Sequence, residues 1–135
     1  MRALFLISLF LISSIEIQAS HAAGMDISYE CISQGVSSDT YKITLKFYRD
    51  CTGIPAPGSL SLNYSSSCGS GSITLNQTGG AVNINPVCLS YCNGGTSLGI
   101  EQYTYTGNIT ITHCSNWVLS VCENARNIAI NISLK

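Results

Sequence analysis

Seven cysteines carry the most evident chemistry of this 135-residue chain; they are Cys31, Cys51, Cys68, Cys88, Cys92, Cys114 and Cys122. In an oxidising compartment such residues form disulfides, and each would contribute about 2 to 5 kcal/mol to the stability of a small domain. Because seven is odd, at least one thiol must stay unpaired or bind another chain. Spacing does not fix the connectivity, but the three residues between Cys88 and Cys92 suggest these two as the most local bridge.

Zinc coordination is the alternative chemistry for the same sulfurs. Cys88, Cys92, His113 and Cys114 offer three sulfurs and one nitrogen, which is the donor set of a tetrahedral site. An oxidising compartment removes the thiolates that zinc requires, and the spacing is not that of a standard finger or ribbon. We therefore expect disulfides, and we expect neither a metal nor another cofactor.

Few residues could support catalysis. Of the two histidines only His113 lies well inside the sequence, and nothing around it resembles the nucleophile turn of a hydrolase. A carboxylate pair would have to come from Asp26, Glu30, Asp39, Asp50, Glu101 and Glu123. Asp26 and Glu30 share one face of a predicted strand, which is most simply a solvated face. The sequence therefore predicts a protein that is not an enzyme.

Arginines are scarce enough for their positions to be informative. Arg49, Asp50 and Arg126 stand out, the last followed by Asn127. We expect either an ion pair between an arginine and Asp50 or arginine donors that hold loop carbonyls at the end of a sheet. A role in ligand binding is the alternative for these residues.

Aromatic residues divide into one expected core residue and several expected surface residues. Trp117 shares a strand face with Leu119 and Val121, so it is predicted to lie in the core. Four tyrosines could instead form an exposed platform on which a sugar ring stacks: Tyr48, Tyr64, Tyr91 and Tyr105.

Charge excludes one class of partner. Only 10% of the residues are charged and the formal net charge is -1. The chain therefore lacks the basic stripe that a phosphate backbone requires, and we expect no nucleic-acid partner. A polar but weakly charged composition is typical of extracellular all-β modules.

Alternation of apolar and polar residues predicts strands along most of the chain. The predicted strands are residues 25–31, 41–47, 60–64, 72–76, 81–85, 103–112, 117–122 and 128–134. Gly107 interrupts one of them, where we expect a bulge, and Gly79 with Gly80 is expected to form a hairpin turn. Strands that recur about every ten residues predict one disulfide-stapled antiparallel β-sandwich, immunoglobulin-like or related.

The first residues have the three parts of a secretory signal peptide. Arg2 supplies the positive charge, an apolar run continues to Ile15, and small residues follow at Ala19. We place the cleavage after Ala19, with Ala22 as the alternative, which gives a signal peptide at 1–19 and a sandwich domain at 20–135. A membrane anchor is disfavoured because about 20 apolar residues are needed to cross a bilayer, and no later segment is suited to span one.

Several sequence blocks together resemble a known bacterial domain. They are residues 27–31 (ISYEC), 41–51 (YKITLKFYRDC), 99–105 (GIEQYTY), 114–117 (CSNW) and 126–127 (RN). In this order they resemble the N-terminal domain of large type IX-secreted, gliding-motility-associated surface proteins. The family pattern has a cysteine close before the Arg-Asn pair, whereas here Asn124 and Ala125 precede it and the nearest cysteine is Cys122.

The resemblance implies an opening domain that precedes PKD-type or other immunoglobulin-like repeats and a sorting domain. Neither follows Lys135 in this sequence, so we expect a stand-alone copy or a fragment of a longer protein. The expected function is that of a non-enzymatic secreted or cell-surface module of an adhesin-like protein, periplasmic if no sorting domain follows. Its loops at residues 52–58 and 93–99 would recognise an extracellular protein or glycan.

Two other functions remain open. A carbohydrate-binding module would use the four tyrosines named above. A self-assembling surface or matrix subunit would instead pair its C-terminal strand, residues 128–134, with an open sheet edge of another chain.

Overall fold

Almost all of the described chain is antiparallel β structure. The computed structural model describes residues 22–85, 88–123 and the backbone of residues 128–133. The strands are β1 (Ala22–Gln34), β2 (Ser38–Asp50), β3 (Ser59–Ser66), β4 (Gly69–Gln77), β5 (Val82–Asn83), β6 (Ile100–Thr112), β7 (Val118–Glu123) and β8 (Ile128–Ser133). One short 3-10 turn, Tyr91–Asn93, is the sole helical segment within the described ranges. The predicted signal peptide, Arg126 and Asn127 lie outside them.

The strands form a single sheet that folds over on itself. Its order is β1-β2-β6-β4-β3-β7-β8, with β5 added to β6. Two register pairs, Asn76 with Thr106 and Gln77 with Tyr105, join β4 to β6. The sheet turns at this short seam, so that β1, β2 and β6 share one core with β3, β4 and β7. The predicted all-β antiparallel sandwich is confirmed, with both of its layers drawn from one sheet.

Strand alternation produces the core. Ile43, Leu45 and Phe47 of β2 are buried at every second position, as the sequence predicts. From the other layer, Trp117, Leu119 and Val121 are also buried, which confirms the predicted core position of Trp117. The remaining buried apolar residues are Ala22, Ile27, Leu60, Leu62, Leu75, Tyr105, Ile109 and Ile111.

The first strand departs from its predicted alternation. Ile27 is buried, but Tyr29 and Cys31 on the same face are exposed. β1 is the outermost strand of its layer, and beyond Ile27 it is exposed on both faces. Asp26 and Glu30 on its other face are exposed as well, which confirms their prediction as a solvated face.

Gly107 does not form the predicted bulge. The pairing of β2 with β6 runs without a shift from Ser38 to Asp50, and Ile43 stands opposite Gly107. A Cβ atom at Gly107 would lie 2.8 Å from the Leu75 side chain and 3.2 Å from the Thr74 carbonyl oxygen. The glycine is therefore explained by the close approach of β4 to β6 where the sheet turns.

Gly79 and Gly80 do not form the predicted hairpin either. β4 and β5 both pair with β6, so the chain keeps its direction between them. The Thr78 amide bonds to the Thr104 carbonyl, and Val82 then pairs with Gln102. Two extra residues are thus accommodated beside β6. Gly79 has a left-handed φ of 77°, which glycine adopts without strain. The predicted strand at 81–85 shortens to Val82–Asn83.

Two disulfides staple opposite ends of the sandwich. Cys51 pairs with Cys92 where β2 ends, and Cys68 pairs with Cys114 where β6 ends. The predicted local bridge between Cys88 and Cys92 is therefore wrong, because the fold brings the end of β2 against Cys92 instead. Within the described residues, no helix has the length and apolar character needed to cross a membrane.

Candidate functional site

The end of the sandwich that carries the Cys51–Cys92 bridge is built from two loops. We call it the loop end and define it as residues 50–58 together with residues 82–99, of which Pro86 and Val87 are not described. The two segments are distant in sequence, since Cys51 and Cys92 are 41 residues apart. Both loops that the sequence suggested for recognition, 52–58 and 93–99, lie here.

Arg49 holds the first loop from inside the sandwich. Arg49 is only 8% exposed although its side chain carries a charge. The guanidinium donates to the carbonyl oxygens of Asp50 at 3.2 Å, Cys51 at 3.1 Å and Ile54 at 2.7 Å. This geometry uses the fixed fork of donors that distinguishes arginine from lysine. Of the two predicted roles for arginine at the sheet end, the one that ties loop carbonyls is confirmed.

Glu101 on β6 supplies the counter-charge for Arg49. Its Oε2 lies 3.6 Å from the Arg49 Nε and accepts a 3.0 Å hydrogen bond from the Tyr103 hydroxyl. The guanidinium also lies 5.9 Å from the centre of the Tyr103 ring. Burial, followed by the hydrogen bond to Glu101, raises the pKa of Tyr103. The charged partner of Arg49 is therefore Glu101, which the sequence did not indicate.

Asp50 closes the turn that begins the first loop. Its Oδ1 accepts hydrogen bonds from the Thr52 amide and the Thr52 hydroxyl, both at 2.9 Å. Such a contact two residues ahead is the usual way in which an aspartate fixes a turn. Asp50 thus shapes the loop locally.

The disulfide then joins the two loops. Cys51 and Cys92 have Cα atoms 5.4 Å apart, and the Cys51 amide donates to the Gly99 carbonyl at 3.1 Å. A Cβ atom at Gly99 would collide with the sulfurs of both Cys51 and Cys92. Only glycine at this position leaves room for the bridge.

Asn85 and Ser90 organise the second loop. The Asn85 side chain accepts from the Ile100 amide at 2.6 Å and donates to the Ser90 hydroxyl at 3.1 Å. The fully buried Ser90 accepts, through its carbonyl, hydrogen bonds from the amides of Asn93 at 2.9 Å and Gly95 at 2.8 Å. Nothing in the sequence marks Asn85, because its partners come together only after folding.

The surface that results carries apolar side chains. Six of the nine exposed large apolar residues of the described chain are at the loop end: Ile54, Val82, Ile84, Leu89, Tyr91 and Leu98. Leu89 is 70% exposed and Leu98 is 63% exposed. A concentration of exposed apolar groups on hydrogen-bonded loops is characteristic of a surface that contacts another molecule.

The tyrosines do not form the platform predicted for a sugar ring. Tyr105 is fully buried, donates a 2.6 Å hydrogen bond to the Pro57 carbonyl and has its pKa raised by burial to about 12. Tyr64 packs against Trp117, with ring centres 5.7 Å apart, while Tyr91 is exposed at the loop end and Tyr48 is partly buried in β2. The prediction that Tyr105 is exposed is wrong. Side chains alternate between the two faces of β6, and Tyr105 lies on the buried face with Ile109 and Ile111.

The proposed zinc ligands are also separated. Cys92 is in the bridge at the loop end, and Cys114 is in the bridge at the opposite end. His113 bonds to Asp39 through its Nε2, at 3.2 Å. Cys31, Cys88 and Cys122 are exposed and form no bridge within the described residues.

The C-terminal strand already has a partner inside the chain. β8 pairs with β7 over six register pairs, from Val118 with Ser133 to Glu123 with Ile128. It is the last strand in the sheet order, and its other side approaches β1. Pairing of this strand with a second chain therefore stays a prediction. A second chain could pair only with the edge of β8 that does not bond to β7, which is the edge that approaches β1.

No protein-family model, no curated protein and no solved structure matches the chain.

Proposed function

We propose that this chain is a non-enzymatic recognition module at the bacterial cell surface, the opening domain or a fragment of an adhesin-like protein, which binds its partner through the loop end. The observation that carries the proposal is the gathering of Ile54, Leu89, Tyr91 and Leu98 on two loops tied by one disulfide. Loops placed on a β framework are the usual location of binding residues. The resemblance to gliding-motility-associated surface domains supports the same assignment.

Preorganisation is the physical basis of the proposed binding. The Arg49 hydrogen bonds and the Cys51–Cys92 bridge hold the loops before a partner arrives. Less conformational entropy is then lost on association, so exposed apolar side chains contribute more of their burial energy to affinity. Leu89 and Leu98, the most exposed apolar residues of the loop end, are the expected central contacts.

The contacts of His113 support a role without catalysis. Within the part of the chain that the structure describes, its ring bonds to Asp39 and to no hydroxyl or thiol side chain. A nucleophile activated by histidine would need to lie within hydrogen-bond distance of that ring.

Disulfides support the cellular location. Two bridges indicate an oxidising environment, extracellular or periplasmic. The secretory leader predicted at residues 1–19 favours export, and the family resemblance favours the cell surface over the periplasm.

Retention of coated beads under flow tests the proposal. Beads carrying the purified oxidised chain would be washed over glass, over polysaccharide-coated glass and over a layer of bacterial cells. We expect beads with the unchanged chain to be retained on at least one of these surfaces. The double variant Leu89→Ser, Leu98→Ser should lose most of that retention, because it removes the two most exposed apolar side chains of the loop end.

A matched control is available at the opposite end of the sandwich. Ile32 is 48% exposed and Val36 is fully exposed, so Ile32→Ser with Val36→Ser removes comparable apolar groups elsewhere. Beads with this control should be retained like the unchanged chain. Equal retention of both double variants, or no retention of the unchanged chain on any surface, would contradict the proposal.

A further inference from the structure

A cleft opens at the end of the sandwich opposite the loop end. It has a volume of about 350 Å³, and its lining includes Asp39, Tyr41, Ile111, His113, Ser115 and Trp117. These residues come from the start of β2, the end of β6 and the connection between β6 and β7. The volume falls within the range of about 300 to 1,000 Å³ that is usual for sites that hold small organic molecules.

Asp39 is the polar centre of this cleft. Its Oδ1 accepts hydrogen bonds from the Gly35 amide and, when the ring nitrogen carries the proton, from His113 Nε2, both at 3.2 Å. Its Oδ2 accepts a long hydrogen bond of 3.5 Å from the Tyr41 hydroxyl. The contact with His113 lowers the pKa of Asp39, which is therefore ionised at neutral pH. A carboxylate can accept about four hydrogen bonds, so Oδ2 has capacity for a ligand donor.

Aromatic rings supply the apolar part of the cleft. The Trp117 indole is held by a 2.9 Å hydrogen bond from its Nε1 to the Thr112 carbonyl and by packing against Tyr64. Tyr41 is steadied by an edge-on contact with Tyr29, at 6.0 Å between ring centres. Both lining rings are thus fixed by neighbours before any ligand enters.

The charges and hydroxyl groups that line the cleft indicate which class of ligand it can bind. The Asp39 charge disfavours an anion, and His113 already occupies the position beside that carboxylate where a cation would bind. The hydroxyl groups of Tyr41 and Ser115 can both donate and accept hydrogen bonds. We propose that this cleft binds a neutral polyhydroxylated ligand, a carbohydrate of one or two rings, with its hydroxyls on Asp39 and its apolar face against the partly exposed Tyr41 ring. The site is independent of the loop end and takes a ligand of a different kind.

The fluorescence of Trp117 gives a direct test, because Trp117 is the single tryptophan of the chain and lines the cleft. The oxidised chain would be titrated with the methyl glycosides of glucose, galactose and mannose and with N-acetylglucosamine. We expect a saturable change with at least one sugar. Asp39→Asn should weaken this binding about tenfold, since it removes the charge from the hydrogen-bond acceptor.

Two variants separate a binding role from a loss of fold. Tyr41→Phe keeps the ring and removes one polar group from the cleft, so it should weaken sugar binding with an unchanged circular dichroism spectrum. Asp26→Asn, at an exposed carboxylate of β1, should bind like the unchanged chain. The loop-end variant Leu89→Ser, Leu98→Ser should also bind normally, which keeps this test separate from the bead assay.

Three outcomes would overturn the proposal. They are the absence of a saturable change with every sugar, unchanged sugar binding by Asp39→Asn and Tyr41→Phe, and loss of sugar binding in the loop-end variant.

Discussion

Arg49 donates a 2.7 Å hydrogen bond to the carbonyl oxygen of Ile54, five residues further along the chain. Through this bond the buried end of β2 determines the path of the loop that follows. The same loop then meets residues 82–99 through the Cys51–Cys92 bridge. A single buried arginine and a single disulfide thus shape the proposed binding surface.

Replacing Arg49 by lysine should destabilise the fold by about 1.5 to 3 kcal/mol, because lysine keeps the charge but cannot reach three carbonyls at once. The free energy of unfolding in guanidinium chloride measures the change. Lys46→Ala on the exposed face of the same strand is the control, and it should change stability by less than about 0.5 kcal/mol. A loss no larger in Arg49→Lys than in this control would show that the carbonyl contacts contribute little.

Gly99→Ala should prevent normal closure of the Cys51–Cys92 bridge, since the added methyl group would overlap both sulfurs. We expect a free thiol at each of these cysteines and, because the bridge is then lost, a decrease in stability of about 2 to 5 kcal/mol. Peptide mapping by mass spectrometry and thermal unfolding report the two outcomes. Gly58→Ala, where an added Cβ meets no atom within 4 Å, should behave like the unchanged chain.

The oxidised protein should expose three reactive thiols before unfolding: Cys31, Cys88 and Cys122. Labelling with a maleimide, followed by digestion, identifies them and the two bridged pairs. Exposed thiols react without opening of the structure, whereas bridged cysteines do not react. A peptide in which Cys88 is joined to Cys92 would contradict the pairing described above.

Asp39 should make stability depend on pH in the acid range. Its folded-state pKa is lowered below the ordinary value of 3.8, chiefly by the hydrogen bond from His113. The unfolded chain therefore takes up this proton first, so the stabilisation is present above pH 3.8 and is lost as the pH falls through the lower folded value. Asp39→Asn should flatten this part of the stability profile, measured as the free energy of unfolding in urea at a series of pH values. If the free energy of unfolding falls with pH equally steeply in Asp39→Asn and in the unchanged chain, Asp39 is not the source of this pH dependence.

The fold class was predictable because most strands bury one face only. Ile43, Leu45 and Phe47 alternate with polar residues, and that pattern has a direct physical cause in the pleat of a half-buried strand. Strand partners were less predictable. Gly79 and Gly80 mark an interruption, but a glycine pair does not distinguish a chain reversal from two extra residues beside the same neighbouring strand.

The features that the sequence did not predict depend on contacts between residues that are far apart in the chain. Cys51 and Cys92 are 41 residues apart, and Asp39 and His113 are 74 residues apart, so no local pattern relates them. The role of Arg49 was partly predictable, because a rare charge at a strand end needs partners and loop carbonyls are the nearest acceptors. Its pairing with Glu101 depended on the register of β2 with β6.

Amide hydrogen exchange tests the proposed binding surface most directly. The chain would be measured free and bound to the surface that retains the coated beads. We predict added protection in residues 50–58 and 88–99, where binding would cover the loop end. Protection confined to β1 or to the cleft around Asp39, with the loop end unchanged, would contradict the account.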